Sequence, residues 1–158
     1  MTKDEFMEYF FKTRGYNLTD DQFYGKVEIK NDLNLSDLTS IPEGFNPVVG
    51  SLDLQSLISI PNGFNPVVYG SLFLMSLISI PKGFNPKVGG GLYLSSLTSI
   101  PKGFNPVVGR DLYLNDLIEI PENWNPTNIK GCIVVNIHNG DGYFNDINST
   151  LKFINFEI

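Results

Sequence analysis

Apolar residues recur at fixed places in a unit of twenty residues. In residues 51–70 they are Leu52, Leu54, Leu57, Ile60, Phe64 and Val68, and the pattern returns in the copies that begin at Ser71, Gly91 and Asp111. A 19-residue version beginning at Asp32 precedes them. A fixed period of this length is the signature of a solenoid, in which each copy forms one coil. Leu52 and Leu54 are two apart, so they point to one side of a short strand while Asp53 points to the other. Leu57 and Ile60 then lead the chain away from the strand, and Pro61 and Gly63 punctuate the corner. Phe64 and Val68 fill the interior from the opposite wall. One coil alone buries too few side chains to offset the ordering of its backbone, so the copies fold as a stack.

The ends break the pattern and read as caps. Thr2 and Glu5 have capping-box spacing, Phe6, Met7, Phe10 and Phe11 follow on one helical face, and Gly15 closes the helix. Thr19 and Gln22 repeat the capping spacing before Phe23, and residues 26–29 are expected to enter the first coil as a strand. At the far end the repeat decays at Glu122 and Trp124, with Trp124 where Phe is due. Beyond them residues 133–137 and 151–156 read as strands around a turn at 139–142. The expectation is therefore one domain over 1–158. It is a β-rich solenoid with a helical cap and entry strand over 1–30, five repeats over 31–130, and a β cap over 131–158.

The string L-x-L-x-x-L-x-x-I-P, present from Leu33, Leu52, Leu72, Leu92 and Leu112, resembles the leucine-rich repeat, particularly its short bacterial and bacteriophage forms. That resemblance spans most of residues 31–130. It implies a non-catalytic module whose strand face holds another protein, such as an inhibitor or adaptor encoded by a bacterium or phage. The familiar repeat carries an Asn and two more residues after the strand, and both are missing here. A curved leucine-rich repeat and a flatter parallel β-solenoid therefore both fit. An Asn does recur in Phe-Asn-Pro, at Asn46, Asn65, Asn85, Asn105 and Asn125, where an amide ladder bonding to turn backbone is expected.

Composition narrows the function. Eleven Lys and Arg against seventeen Asp and Glu leave a net charge of −6, with Arg14 and Arg110 the two arginines, which argues against a nucleic-acid partner. No apolar run approaches the roughly 20 residues that span a bilayer, and the first residues lack a signal peptide's features, so a cytoplasmic location is expected. One cysteine, Cys132, and one histidine, His138, make neither a zinc site nor a persuasive nucleophile and base. Gly89, Gly90 and Gly91 lack the Lys and the helix of a phosphate loop. Asn139, Asp141, Asn145 and Asp146 lack the spacing of a calcium loop. Asp116 and Glu119 read as a solvated end face. No enzyme, cofactor or metal is expected.

What remains is surface. The columns that vary between near-identical copies are those free of the solenoid's own packing. The outward strand column reads Asn34, Asp53, Phe73, Tyr93, Tyr113, and the next reads Ser36, Gln55, Met75, Ser95, Asn115. Three aromatic rings thus stand in a row with Met75 beside them, and these two columns are the candidate partner-binding face, since Tyr, Phe and Met are enriched where proteins meet. Cross-strand stiffening of the sheet is the structural alternative. A second strip, Thr39, Ile58, Ile78, Thr98 and Ile118, lies beside the strand, partly covered by the turn. A small base or sugar stacked on the row, or a structural ladder, are the other readings, and the chain is expected as a monomer or weak homodimer.

Overall fold

The computed structural model describes residues 1–122 and 124–135. The repeats form a β-solenoid with two parallel sheets as walls. One wall is a six-stranded sheet of β1 (Leu33–Asn34), β3 (Leu52–Asp53), β5 (Leu72–Phe73), β7 (Leu92–Tyr93), β9 (Leu112–Tyr113) and β10 (Ile133–Val134). The other is a four-stranded sheet of β2 (Val48–Val49), β4 (Val67–Val68), β6 (Lys87–Val88) and β8 (Val107–Val108). Every pairing is parallel and sets equivalent repeat positions side by side, Leu52 against Leu72 and Val68 against Val88 among them. Because the far wall is itself a parallel sheet, the coil is a two-sheet β-solenoid.

Each strand is short for a local reason. After Leu52 and Leu54 the N–H of Leu57 donates back to the Leu54 carbonyl at 3.0 Å, which turns the chain out of the sheet. At the next corner Gly63 has φ of +79°, a left-handed conformation that suits glycine, and Gly44, Gly83 and Gly103 repeat it.

The core is one continuous cluster of stacked columns. The Leu of each strand, the Leu of the turn and the Phe and Val of the far wall are buried throughout. Phe45, Phe64, Phe84, Phe104 and Trp124 form a file of near-parallel rings, with centroids 6.2 to 6.5 Å apart from one ring to the next. Where Trp124 replaces Phe, its indole Nε1 donates to the Phe104 carbonyl at 2.7 Å.

The Asn column is the internal ladder expected of it, with a different ending. Asn46, Asn65 and Asn85 each donate from Nδ2 to the corner carbonyl of the next coil, Gly63, Gly83 and Gly103, at 3.1, 3.0 and 3.3 Å. Their Oδ1 atoms accept the backbone N–H of the next Asn. At coil five the register slips: Asn105 accepts from Thr127 at 3.3 Å, and Asn125 is exposed.

The N-terminal cap has helices α1 (Lys3–Arg14) and α2 (Asp20–Phe23), each opened by a complete capping box and α1 closed by Gly15 in the left-handed region. Phe6 and Phe23 meet Phe45 at centroid distances of 4.7 and 5.4 Å, so the cap covers the open end of the Phe file. Phe11 departs from the expected apolar face: Phe6 and Phe10 are buried, whereas Phe11 is 51% exposed. One step beyond Phe10 on a helix is about 100° further round, which carries Phe11 off the core. Residues 26–29 do not make a strand; Ile29 alone bridges to Val49. At the other end β10 extends the strand wall in parallel with β9. The expected strand at 151–156 and the turn at 139–142 lie outside the described residues.

Candidate functional site

The strand wall brings the outward column into register. Asn34 pairs with Asp53, Asp53 with Phe73, Phe73 with Tyr93 and Tyr93 with Tyr113. The three rings stack face to face: Phe73 and Tyr93 are 4.8 Å apart at 15°, and Tyr93 and Tyr113 are 4.5 Å apart at 6°. These separations match the spacing of neighbouring strands, about 4.8 Å, so the rings stand upright on their own coils. All three are half-buried.

Tyr93 lies over Gly91. A Cβ at Gly91 would meet ring atoms of Tyr93 at 3.0 to 3.2 Å, so glycine there makes room for the ring. The same column otherwise carries side chains that bond to the next coil. Asp32 Oδ1 accepts from Ser51 N at 2.6 Å, Ser71 Oγ from Gly91 N at 3.2 Å, and Asp111 Oδ1 from Cys132 N at 2.7 Å. Gly91 interrupts that file where the aromatic row needs the space. Burial, and then the neighbouring Tyr93 and Asp111, push the Tyr113 hydroxyl above its ordinary value.

The polar end of the column is tied down locally. Asn34 Oδ1 accepts from the N–H and hydroxyl of Ser36 at 3.0 and 2.7 Å, and Asp53 Oδ1 accepts from the N–H of Gln55 at 3.1 Å. These bonds close the turns that end β1 and β3. In the second column Gln55 is exposed, while Met75, Ser95 and Asn115 are half-buried beside the rings. Backbone bonds from Ser76 to Gln55 and from Ser96 to Met75 hold it in step.

The second strip is more open than its sequence suggested. Ile58 and Ile78 are each 63% exposed and Ile118 is 73% exposed, so the turn does not cover them. The column is held together by backbone: Ile118 N donates to Thr98 O at 3.1 Å, and Thr98 N to Ile78 O at 3.4 Å. A ridge of three exposed isoleucines, interrupted by the half-buried Thr98, thus runs five residues beyond the aromatic row's column.

The N-terminal cap reaches the start of this wall. Arg14 donates through its guanidinium to the Asn34 carbonyl, covering part of the exposed edge of β1. The Tyr9 hydroxyl bonds the Asp37 carboxylate at 2.6 Å, and that bond lowers the Asp37 pKa.

Other candidates gather nothing comparable. Among the described residues no three His, Cys, Asp or Glu side chains could share a metal ion, and no helix is long and apolar enough to cross a membrane. Cys132 is a half-buried free thiol; His138 and the acidic turn at 139–146 lie outside the described residues. A hollow of about 590 Å³ at the corners of coils four and five is lined by Pro101, Phe104, Pro121 and Trp124, away from the strand wall. No family model, curated protein or solved structure matches this chain.

Proposed function

We propose that the protein is a non-catalytic binding module that holds another protein on its strand wall and the turns beside it, through the aromatic row and the isoleucine ridge. The observation that carries it is the exposure of Ile58, Ile78 and Ile118 in one column of coils whose row of Phe73, Tyr93 and Tyr113 is also open on one side. Isolated exposed apolar residues are ordinary, whereas contiguous ones mark interaction surfaces. Six strands at about 4.8 Å give a wall about 24 Å long, enough for one side of an interface of about 800 Å² when the flanks take part. The resemblance of the repeat to leucine-rich repeats, whose strand faces commonly hold proteins, supports the same face and suits a cytoplasmic inhibitor or adaptor of bacterial or phage origin.

Stacking of a small base or sugar is the weaker alternative. Both faces of the Tyr93 ring are already taken by Phe73 and Tyr113, which leaves ring edges on offer. The test is capture from native cytosol by the intact protein and by the Tyr93→Ser/Tyr113→Ser variant, with stoichiometry measured on the purified pair. A single partner lost with the variant, while the variant unfolds as cooperatively as the parent, is the expected result. Unchanged binding by the variant refutes the face.

A further inference from the structure

Charge is divided between the two halves of every coil. The first half, which carries the strand wall and the ridge, holds Asp32, Asp37, Asp53, Asp111, Asp116 and Glu119 and no Lys or Arg in any of the five coils. The second half holds Lys82, Lys87, Lys102, Arg110 and Lys130, all exposed, against Glu43 and Glu122. The acids of the wall are further sorted by coil. Three stand on coils one and two and three on coil five, while coils three and four present Phe73, Met75, Ile78 and Tyr93 without a charge. Among the described residues the three ion pairs are Lys3–Asp20, Lys12–Glu8 and Lys26–Asp21, and all belong to the N-terminal cap. Arg14 lies near Asp37 at the capped end of the wall, where its guanidinium is committed to the Asn34 carbonyl. On coil five, one strand short of β10, Asp116 and Glu119 are exposed.

We infer that the strand wall takes a partner-protein segment with an apolar centre and basic residues at both ends, a partner class that rests on this wall being the binding face. The two acidic groups are three to four coils apart, about 14 to 19 Å at the strand spacing. An extended segment rises about 3.3 Å per residue, so its two basic ends stand about four to six residues apart. Apolar contact in the middle supplies affinity, and the flanking charges supply orientation and encounter rate. The same field repels anionic surfaces, including nucleic acid and acidic membranes.

The test uses the whole protein and two synthetic peptides with the centre Leu-Thr-Phe-Thr-Leu, one flanked on each side by two lysines and the other by two glutamates. Binding is read by fluorescence anisotropy at low and high salt. The lysine-flanked peptide is expected to bind at least roughly tenfold more tightly than the glutamate-flanked one at low ionic strength, with the gap closing as salt screens the charges. Asp111→Asn/Asp116→Asn should narrow the gap, while Glu43→Gln/Glu122→Gln, which removes as much charge from elsewhere, should leave it unchanged. Equal binding of both peptides, lost in Tyr93→Ser/Tyr113→Ser, would keep the face and overturn its charge preference. A gap that responds equally to both pairs of charge variants would mean that net charge alone is at work and would overturn it too. Failure of the lysine-flanked peptide to bind, or binding that survives the tyrosine changes, overturns the inference.

Discussion

Asn85→Ala is expected to destabilise the protein by about 1.5 to 4.5 kcal/mol, although it removes a small polar side chain from a half-buried site. Asn85 Oδ1 accepts the N–H of Asn105, and Nδ2 donates to the Gly103 carbonyl at 3.3 Å. Gly103 is at an exposed corner, so water replaces the second bond at a cost of about 0.5 to 1.5 kcal/mol. The N–H of Asn105 is partly buried and has no such substitute, and an unsatisfied buried donor costs about 1 to 3 kcal/mol. The bond from Asn85 N to Asn65 Oδ1 uses backbone and survives the change. Asn125→Ala is the internal control. Asn125 occupies the same place in the repeat but is exposed, and Asn105 bonds to Thr127 instead; a loss within about 0.5 kcal/mol is expected. Urea unfolding followed by far-ultraviolet circular dichroism and by Trp124 fluorescence gives both values, with coincident curves and an unchanged m-value as conditions for comparing them. If Asn85→Ala loses no more than Asn125→Ala, the amide ladder does not stabilise the stack as described.

Four further outcomes follow from the geometry. Phe6→Ala, which uncovers Phe45 at the end of the aromatic file, should cost about 3 to 5 kcal/mol in the same urea assay. Gly91→Ala should displace the Tyr93 ring and weaken the near-ultraviolet tyrosine signal, with far-ultraviolet signal retained and about 1 to 3 kcal/mol lost to overpacking. Tyr9 lowers the Asp37 pKa below its ordinary 3.8 by hydrogen bonding, so this pair contributes stability above that pH and loses it as pH falls; acid titrations of Tyr9→Phe should show a shallower decline below about pH 4. The Tyr113 pKa is raised above 10.0, chiefly by burial, so its contribution is present at neutral pH and lost as pH rises past 10.0, and unfolding of Tyr113→Phe should depend less on pH in that range.

The repeat period made the solenoid legible because each coil is specified by a few fixed apolar columns, and near-identical copies fall into register by stacking alone. The Asn ladder was legible for the same reason, while its end was not. The register slip at Asn125 follows the change from Lys-Gly-Phe to Glu-Asn-Trp at the corner, and Asn105 then finds Thr127. The aromatic row could be placed by counting. The openness of Ile58, Ile78 and Ile118 could not, since whether a turn covers its neighbour depends on how the chain leaves Leu57. Contacts between cap and wall, Tyr9 with Asp37 and Arg14 with Asn34, bring together residues with no shared periodicity and were invisible in the pattern. The division of charge was readable in the letters, but it acquires meaning only once the two halves of a coil are known to form opposite walls.

The close stacking of the row bears on whether it stabilises or recognises. Parallel aromatic pairs contribute about 0.5 to 1.5 kcal/mol beyond their buried area. Tyr93 belongs to two such pairs, so the double replacement of Tyr93 and Tyr113 removes about 1 to 3 kcal/mol of stacking from a domain whose class is stable by about 5 to 15. That loss lowers the unfolding midpoint without emptying the native state. A structural ladder alone would therefore yield a variant that is less stable yet binds as well as the parent when both are folded. Recognition requires a loss of affinity larger than the stability change can supply, because a folded fraction near one leaves apparent affinity almost unaltered. Measuring affinity and unfolding on the same preparation separates the two roles: binding that falls only in proportion to the unfolded fraction makes the rings a brace, and binding lost at full folding makes them the contact.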